Sequence, residues 1–160
     1  MSPERTNWRR RAAMPVAVPS RRSKPMFLLD TNVVSELRRP RPHGAVLAWL
    51  KGIDDRDLRL SAVTLGEIQA GIEITREQDA AKASELESWA DRVAESYNIL
   101  PMDAAIFRLW AKWMHGQPDS VYEDAMSAAT AAVHGLTVVT RNVRDFARFD
   151  VRLFNPFAKA

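Results

Sequence analysis

The sequence of 160 residues contains no cysteine. This absence excludes disulfide bonds, thiolate zinc sites and cysteine nucleophiles, and it suits a reducing cytoplasm, where we expect the protein to act. The sequence has three histidines, His43, His115 and His134, and their spacing does not predict a histidine metal site on one helix face. It has no apolar run near the roughly 20 residues that a membrane span needs, so we expect no membrane association.

Positive charge is concentrated in the first 25 residues. This arm holds seven arginines and lysines and a single acid, Glu4, which gives it a net charge of +6. The remaining chain holds 16 basic and 19 acidic residues, a net charge of −3. The overall charge of +3 therefore belongs to the arm, and a folded part with an acidic balance does not fit a DNA-binding protein with a basic arm.

The arm, residues 1–25, has four prolines and no apolar periodicity. It could bind RNA phosphates through sequence-independent electrostatics, act as an arginine-rich transit peptide, or be a disordered segment of vector sequence or an over-extended start. We favour the last interpretation, because Met26 immediately precedes the first predicted strand. Residues 26–160 are long enough for one hydrophobic core, and we expect them to form a single domain.

Short apolar runs alternate with helical patterns after Met26. Strands are predicted at 27–29, 58–61, 99–100, 136–139 and 151–154, and helices at 32–38, 42–53, 67–75, 80–97, 103–115 and 120–134. The continuous apolar run at 136–139 is typical of a parallel strand buried on both faces. The alternation predicts an α/β/α sandwich with a mostly parallel sheet, in which ligands bind beyond the carboxyl ends of the strands.

Four acidic residues lie where a predicted strand passes into a helix or loop. They are Asp30, Glu67, Asp124 and Asp145. If the fold gathers them, their carboxylates form a strongly negative pocket with oxygen ligands alone. Such a pocket binds Mg²⁺ or Mn²⁺ and supports phosphodiester cleavage.

Several of these acids also have a purely structural explanation. Asp30 could cap the helix that follows it. Thr64 and Glu67 fit a capping box, in which the glutamate reaches back to the backbone amide of the threonine. Asp145 lies in a polar turn beside two arginines, where a surface ion pair is an equal alternative. A fifth acid, Asp103, precedes an apolar helix and is predicted to be an N-cap only.

Asp124 has the strongest case for a functional role. It lies in the first turn of its helix, where the macrodipole favours a carboxylate, but Ser120 and Glu123 already fit a capping box there. The helix continues with small residues, which allow it to approach the sheet closely and to bring Asp124 towards Asp30. These small residues are Ala125, Ser127, Ala128, Ala129, Ala131 and Ala132.

Four segments together resemble the PIN-domain family, in particular the VapC-type and FitB-like toxin ribonucleases of toxin–antitoxin pairs. They are LLDTNVVSE at 28–36, LSAVTLGEI at 60–68, DAMSAATA at 124–131 and TVVTRNVRDF at 137–146, followed by NPF at 155–157. The resemblance covers residues 26 to about 157. A single Asp-Thr-Asn sequence would be weak evidence for the family, whereas four segments in this order and spacing are specific evidence for it.

The resemblance implies a Mg²⁺- or Mn²⁺-dependent endoribonuclease that acts as the toxin of a type II toxin–antitoxin module. It implies that Asp30, Glu67 and Asp124 are catalytic and hold the metal. Some relatives carry a further acid at the position of Asn142 and others at that of Asp145, so both residues are candidates for the fourth catalytic position. Four polar residues match positions that orient the acids, namely Thr31, Asn32, Ser35 and Thr140.

The resemblance also implies an RNA substrate, a cognate antitoxin and a homodimer built partly on helices within 67–97, with Trp49 and Trp89 as candidate interface residues. The alternative is a non-catalytic PIN-like scaffold that binds nucleic acid or protein and binds Mn²⁺ poorly. A haloacid-dehalogenase-like phosphatase would need an acid two residues after Asp30, where Asn32 stands instead.

Overall fold

The computed structural model describes residues 24–158, so the predicted arm at 1–25 lies almost entirely outside the described residues. The strands are β1 Phe27–Leu29, β2 Leu58–Ser61, β3 Asn98–Leu100, β4 Thr137–Val139 and β5 Leu153–Phe154. The helices are α1 Thr31–Glu36, α2 Gly44–Lys51, α3 Ala62–Gln78, α4 Ala80–Ser96, α5 Ala104–Met114, α6 Tyr122–His134 and α7 Val143–Phe146. The predicted α/β class is confirmed.

The five strands form one parallel sheet in the order β3-β2-β1-β4-β5. β1 lies at the centre, and its residues Leu28 and Leu29 are in register with Val138 and Val139 of β4. In a parallel sheet all carboxyl ends lie at the same edge. The segments that follow β1, β2 and β4 therefore come together at that edge.

Helices cover both faces of the sheet, as the predicted sandwich requires. Leu29 and Val139 are fully buried against residues of α1, α2, α3 and α4 on one face. Their neighbours Leu28 and Val138 point to the opposite face and pack with buried residues of α6 and α7. Because side chains alternate along a strand, two consecutive leucines are enough to join both cores.

Two capping boxes predicted from the sequence are wrong. Helix α3 begins five residues earlier than predicted, because the Ser61 hydroxyl accepts a hydrogen bond from the Val63 N–H and caps it. Thr64 is thus inside the helix and fully buried, so it does not cap with Glu67. Helix α6 follows a 3₁₀ turn at Asp119–Val121, and its N-cap residue makes no side-chain capping bond, which removes the box predicted at 120–123.

None of the helices within residues 24–158 combines the length and the apolar character that crossing a bilayer requires.

The turn between α6 and β4 depends on a glycine. Gly135 adopts a left-handed conformation with φ of 67°, and its N–H donates to carbonyls at the end of α6. A left-handed conformation costs a residue with a Cβ about 1–2 kcal/mol. We expect Gly135→Ala to lower the free energy of unfolding by about 1 kcal/mol, measured by urea denaturation.

The matched control is Gly66→Ala. Gly66 is exposed inside α3, and a Cβ there would meet no atom within 4 Å. Alanine is the better helix former, so this variant should gain about 0.5–1 kcal/mol. If both variants shift stability in the same direction, backbone conformation is not what distinguishes the two glycines.

Candidate functional site

The carboxyl edge of the sheet carries the polar residues that the sequence singles out. Asp30 directly follows β1 and caps α1, and Thr140 directly follows β4. Helix α3 starts at the end of β2 and carries Glu67 in its second turn. Asp124 lies in the first turn of α6, which packs against both α3 and the two central strands.

Asp30 is held by four hydrogen bonds. Its N–H donates to the Val139 carbonyl at 2.9 Å, so its backbone continues the pairing of the two central strands. One carboxylate oxygen accepts from the Thr31 N–H at 2.8 Å. The other accepts from the Thr140 hydroxyl at 2.7 Å and from the Asn32 amide at 3.2 Å. The residue is only 7% exposed, so it is both a helix cap and a rigidly held carboxylate at the strand ends.

Glu67 stands at the open rim of this edge. Its carboxylate accepts a hydrogen bond from the Thr31 hydroxyl at 3.1 Å, and the same hydroxyl lies 3.2 Å from that of Thr64. The residue itself is exposed. Thr31 therefore links the acid on α3 to the N-terminal turn of α1, which is capped by Asp30.

Asn142 links the two remaining acids. Its side-chain amide donates to Asp124 at 3.1 Å and to Asp145 at 2.9 Å, and its backbone N–H donates to the Thr140 hydroxyl at 2.9 Å. Asp145 also lies 4.0 Å from Arg148, so it takes part in a surface ion pair as well. The two candidates for the fourth position are thus in direct contact with each other, and Asn142 also contacts Asp124.

The small residues of α6 lie where the sequence predicts them. Ala125, Ala128, Ala129 and Ala131 are completely buried, and the helix contacts β1 and β4. A helix with small side chains on its inner face can approach a sheet closely. This approach brings Asp124 within electrostatic range of Asp30.

Glu123 differs from its predicted role, the predicted role of Ser35 stays a prediction, and Asp103 behaves as expected. Ser35 makes no hydrogen bond to the acids among the described residues; it lines a groove beside Glu67 instead. Glu123, which the sequence places in a cap, contributes negative charge to the site and raises the pKa of both Glu67 and Asp124. Its only sequence signal is its position next to Asp124. Asp103 caps α5 as predicted, accepting from the Ile106 N–H at 2.9 Å.

The acids repel one another. Burial raises the pKa of Asp124 to about 6, and the charges of Asp30, Asp145 and Glu123 add to that shift. Loss of hydration raises the pKa of Glu67 to about 7, although the Thr31 hydrogen bond opposes the change. Burial also raises the pKa of Asp30 against its hydrogen bonds from Thr140 and Thr31.

The donor set fits a hard divalent cation in chemistry and charge. The side chains are carboxylates and an amide, which are the oxygen ligands that Mg²⁺ and Mn²⁺ prefer. Burial raises the pKa values of Glu67 and Asp124, and the charges of neighbouring acids add to both shifts, so a cation bound among them would be stabilised. Within residues 24–158, no three acids lie close enough together to hold a metal ion as they are placed. Three of them would have to move closer together to share one ion.

A groove of about 300 Å³ adjoins the acidic edge. It runs between α1, α3 and α4, and Thr31 and Glu67 belong both to it and to the site. The guanidinium of Arg38 lies 6.0 Å from the ring centre of Trp89, which also lines the groove. The groove therefore has an apolar floor, a basic residue on its wall and an acidic end.

Comparison with known proteins gives a consistent result. A family model described as PIN domain matches residues 27–152. Toxin FitB of Neisseria gonorrhoeae is 39% identical over 145 residues, which cover 82% of this chain and 99% of that protein. VapC ribonuclease Y4jK of Sinorhizobium fredii is 34% identical over 146 residues, covering 84% of this chain and 100% of the relative.

Solved structures agree with these relatives. A structure of FitAB bound to an IR36 DNA fragment aligns with a TM-score of 0.74 and 32% identity, covering 84% of this chain and 98% of the other. The predicted family resemblance is confirmed.

The pKa values predict how pH affects stability. When a carboxyl group has a higher pKa in the folded state than in the unfolded state, the folded protein becomes less stable as pH rises from the unfolded pKa to the folded pKa. For Asp124 the interval runs from 3.8 to about 6. We expect Asp124→Asn, without divalent cations, to gain about 1–2 kcal/mol relative to the parent at pH 8 and little at about pH 3.5, below the unfolded pKa, after allowance for solvent screening. Urea denaturation at both pH values measures this difference.

Asp103→Asn is the matched control, because it removes one negative charge while asparagine preserves an N-cap. It should not reproduce the gain at pH 8. Loss of folding in Asp124→Asn at both pH values would mean that Asp124 is structural.

Proposed function

This chain belongs to the PIN-domain family, and from that premise we propose that it is a metal-dependent endoribonuclease, the toxin of a type II toxin–antitoxin module. The observation that carries the proposal is the convergence of Asp30, Glu67 and Asp124, from three different elements, on one edge of the sheet. The relatives named toxin FitB and VapC ribonuclease support it.

In this proposal Asp30, Glu67 and Asp124 hold Mg²⁺ or Mn²⁺. The bound ion supplies positive charge that polarises the scissile phosphate and favours ionisation of the attacking water. The chain contributes the positions of the ligands: Thr140 and Thr31 hold Asp30, and the Thr31 hydroxyl also restrains Glu67.

Asn142 and Asp145 orient the water that attacks phosphorus in line with the leaving oxygen. Asn142 is suited to this role because its amide already spans Asp124 and Asp145. Attack by water breaks the bond between phosphorus and the 3′ oxygen. The products then carry 5′-phosphate and 3′-hydroxyl ends.

A cognate antitoxin is the proposed partner. The groove beside Glu67 suits an inserted segment with apolar side chains and a basic residue that reaches the acids. The structure of FitAB bound to an IR36 DNA fragment, one of the structural neighbours, supports a partner of this kind. We further propose a homodimer that acts in the cytoplasm, with Trp89 on α4 at the interface. Trp49 packs on Phe27 and Phe154 within the chain, and is the weaker interface candidate.

Cleavage of labelled total RNA tests the activity. The purified protein is incubated with Mn²⁺, with Mg²⁺ and with EDTA, and the ends of the products are mapped. We expect discrete cuts that EDTA abolishes and that end in 5′-phosphate and 3′-hydroxyl groups. Asp124→Asn should lower the rate at least about 100-fold, because an essential ligand is lost.

Asp103→Asn serves as the control and should cleave like the parent. Products ending in 2′,3′-cyclic phosphate would rule out attack by water. A parent protein that neither cuts RNA nor binds Mn²⁺ would leave the alternative, a non-catalytic PIN-like binding scaffold.

Binding of the metal should also be visible in stability. Because a cation relieves the repulsion between the acids, saturating Mn²⁺ should raise the melting temperature by several degrees. Asp124→Asn should lose most of that rise, whereas Asp103→Asn should keep it. An equal rise in all three proteins would place the ion elsewhere.

A further inference from the structure

Glu36, the last residue of α1, is a buried charge outside the acidic site. Its side chain is 3% exposed, and burying a carboxylate is unfavourable unless it is paired. Its Oε2 accepts from the His43 N–H at 2.9 Å. Its Oε1 lies 3.1 Å from Arg39 and 3.8 Å from Arg141. One carboxylate thus draws two arginines to the same place.

These two arginines keep most of their binding capacity. Their side chains are 55% and 52% exposed, respectively. A separation of 3.8 Å is too long for a hydrogen bond, so the contact of Arg141 with Glu36 is an ion pair that leaves its N–H donors available. Two guanidinium groups beside one carboxylate also leave an excess of positive charge.

An aromatic ring fixes the orientation of Arg141. The guanidinium carbon lies 3.9 Å from the centre of the Phe157 ring, within the range of a cation–π contact. Phe157 in turn packs edge-on against His43, with the ring centres 5.3 Å apart. The cation–π contact restrains the guanidinium, whose N–H donors can bind a phosphate with two hydrogen bonds.

The arginine pair is continuous with the acidic edge. Arg141 lies between Thr140 and Asn142, which bind Asp30 and Asp124, and its own N–H donates to the Asn32 side chain at 3.2 Å. The acids repel RNA phosphates, and the chain from residue 26 onward has a net charge of −3. A substrate therefore needs positive charge placed at the rim of the site.

We propose that Arg39 and Arg141, held by Glu36 and Phe157, bind an RNA phosphate that neighbours the scissile one. This inference rests on the proposed function, and it assigns substrate binding to residues separate from the acids. We call these two arginines the clamp. They would contact the RNA backbone and no base, so they should bind single-stranded RNA of any sequence.

RNA binding by a protein that does not cut tests the clamp. The full chain carrying Asp124→Asn is titrated into a fluorescent 12-nucleotide single-stranded RNA of mixed sequence between 50 and 200 mM salt, and anisotropy is followed. Adding Arg141→Ala should weaken binding about ten-fold. It should also reduce the slope of log K against log salt by about 0.7, the value for one phosphate contact in single-stranded nucleic acid.

Arg39→Ala is a second test, since Arg39 lies in the exposed segment after α1 and its removal leaves Phe157 and Arg141 in place. Phe157→Leu separates charge from orientation: affinity should fall while the salt slope stays the same, because no charge is lost.

Arg152→Ala is the matched control, as Arg152 donates to the Gly135 carbonyl at the opposite end of the sheet. It should leave affinity nearly unchanged.

Unchanged affinity and salt slope in both Arg141→Ala and Arg39→Ala would overturn the clamp, and so would an Asp124→Asn protein that binds no RNA at 50 mM salt. The parent's cleavage of RNA is scored separately. If the parent cleaves RNA but the arginine variants bind RNA normally, only the clamp is refuted. If RNA binding depends on the arginines but the parent does not cleave RNA, the nuclease function is refuted and the clamp stands.

Discussion

The hydrogen bond from the Thr140 hydroxyl to the Asp30 carboxylate, 2.7 Å long, joins the ends of the two central strands. It exists because β1 and β4 are paired in parallel register and both end at the same edge. The Asp30 N–H extends the ladder to Val139, and the Asp30 side chain caps α1. One buried residue thus sets the direction of the first helix, the start of the loop after β4 and the deepest carboxylate of the site.

Charge around that residue is organised in two zones. Carboxylates lie near one another at the strand ends, where burial, with added repulsion from neighbouring acids, raises the pKa of Glu67 and Asp124. The amides of Asn32 and Asn142 donate to Asp30 and Asp124 there. Arg39 and Arg141 are held apart from these acids by Glu36. These two arginines therefore do not pair with the acids that the proposed cation would need.

Elements with a strong apolar signal were predictable. The central strands are short, mostly apolar runs that no charged residue interrupts, so Phe27–Leu29 and Thr137–Val139 lie within one residue of their predicted bounds. The helix caps were less predictable, because Ser, Thr and Glu at cap spacing occur in many local contexts. Thr64 looked like a cap, yet Ser61, three residues earlier, caps the helix and Thr64 is buried. The contacts of Glu67 with Thr31 and of Glu36 with Arg141 join distant segments and left no local signal.

The sequence by itself determined the α/β class and the family, and it singled out the acids proposed for the site, because apolar periodicity and four ordered segments are properties of local chemistry and spacing. Only the tertiary structure decided what each acid contacts. Asn142 contacts both Asp124 and Asp145. Residue order alone could not decide whether Asn142 or Asp145 occupies the fourth catalytic position. Arg141 meets Phe157 and Glu36, 16 and 105 residues away along the chain. Such contacts arise where parallel strands bring their ends to one edge, and no local pattern encodes them.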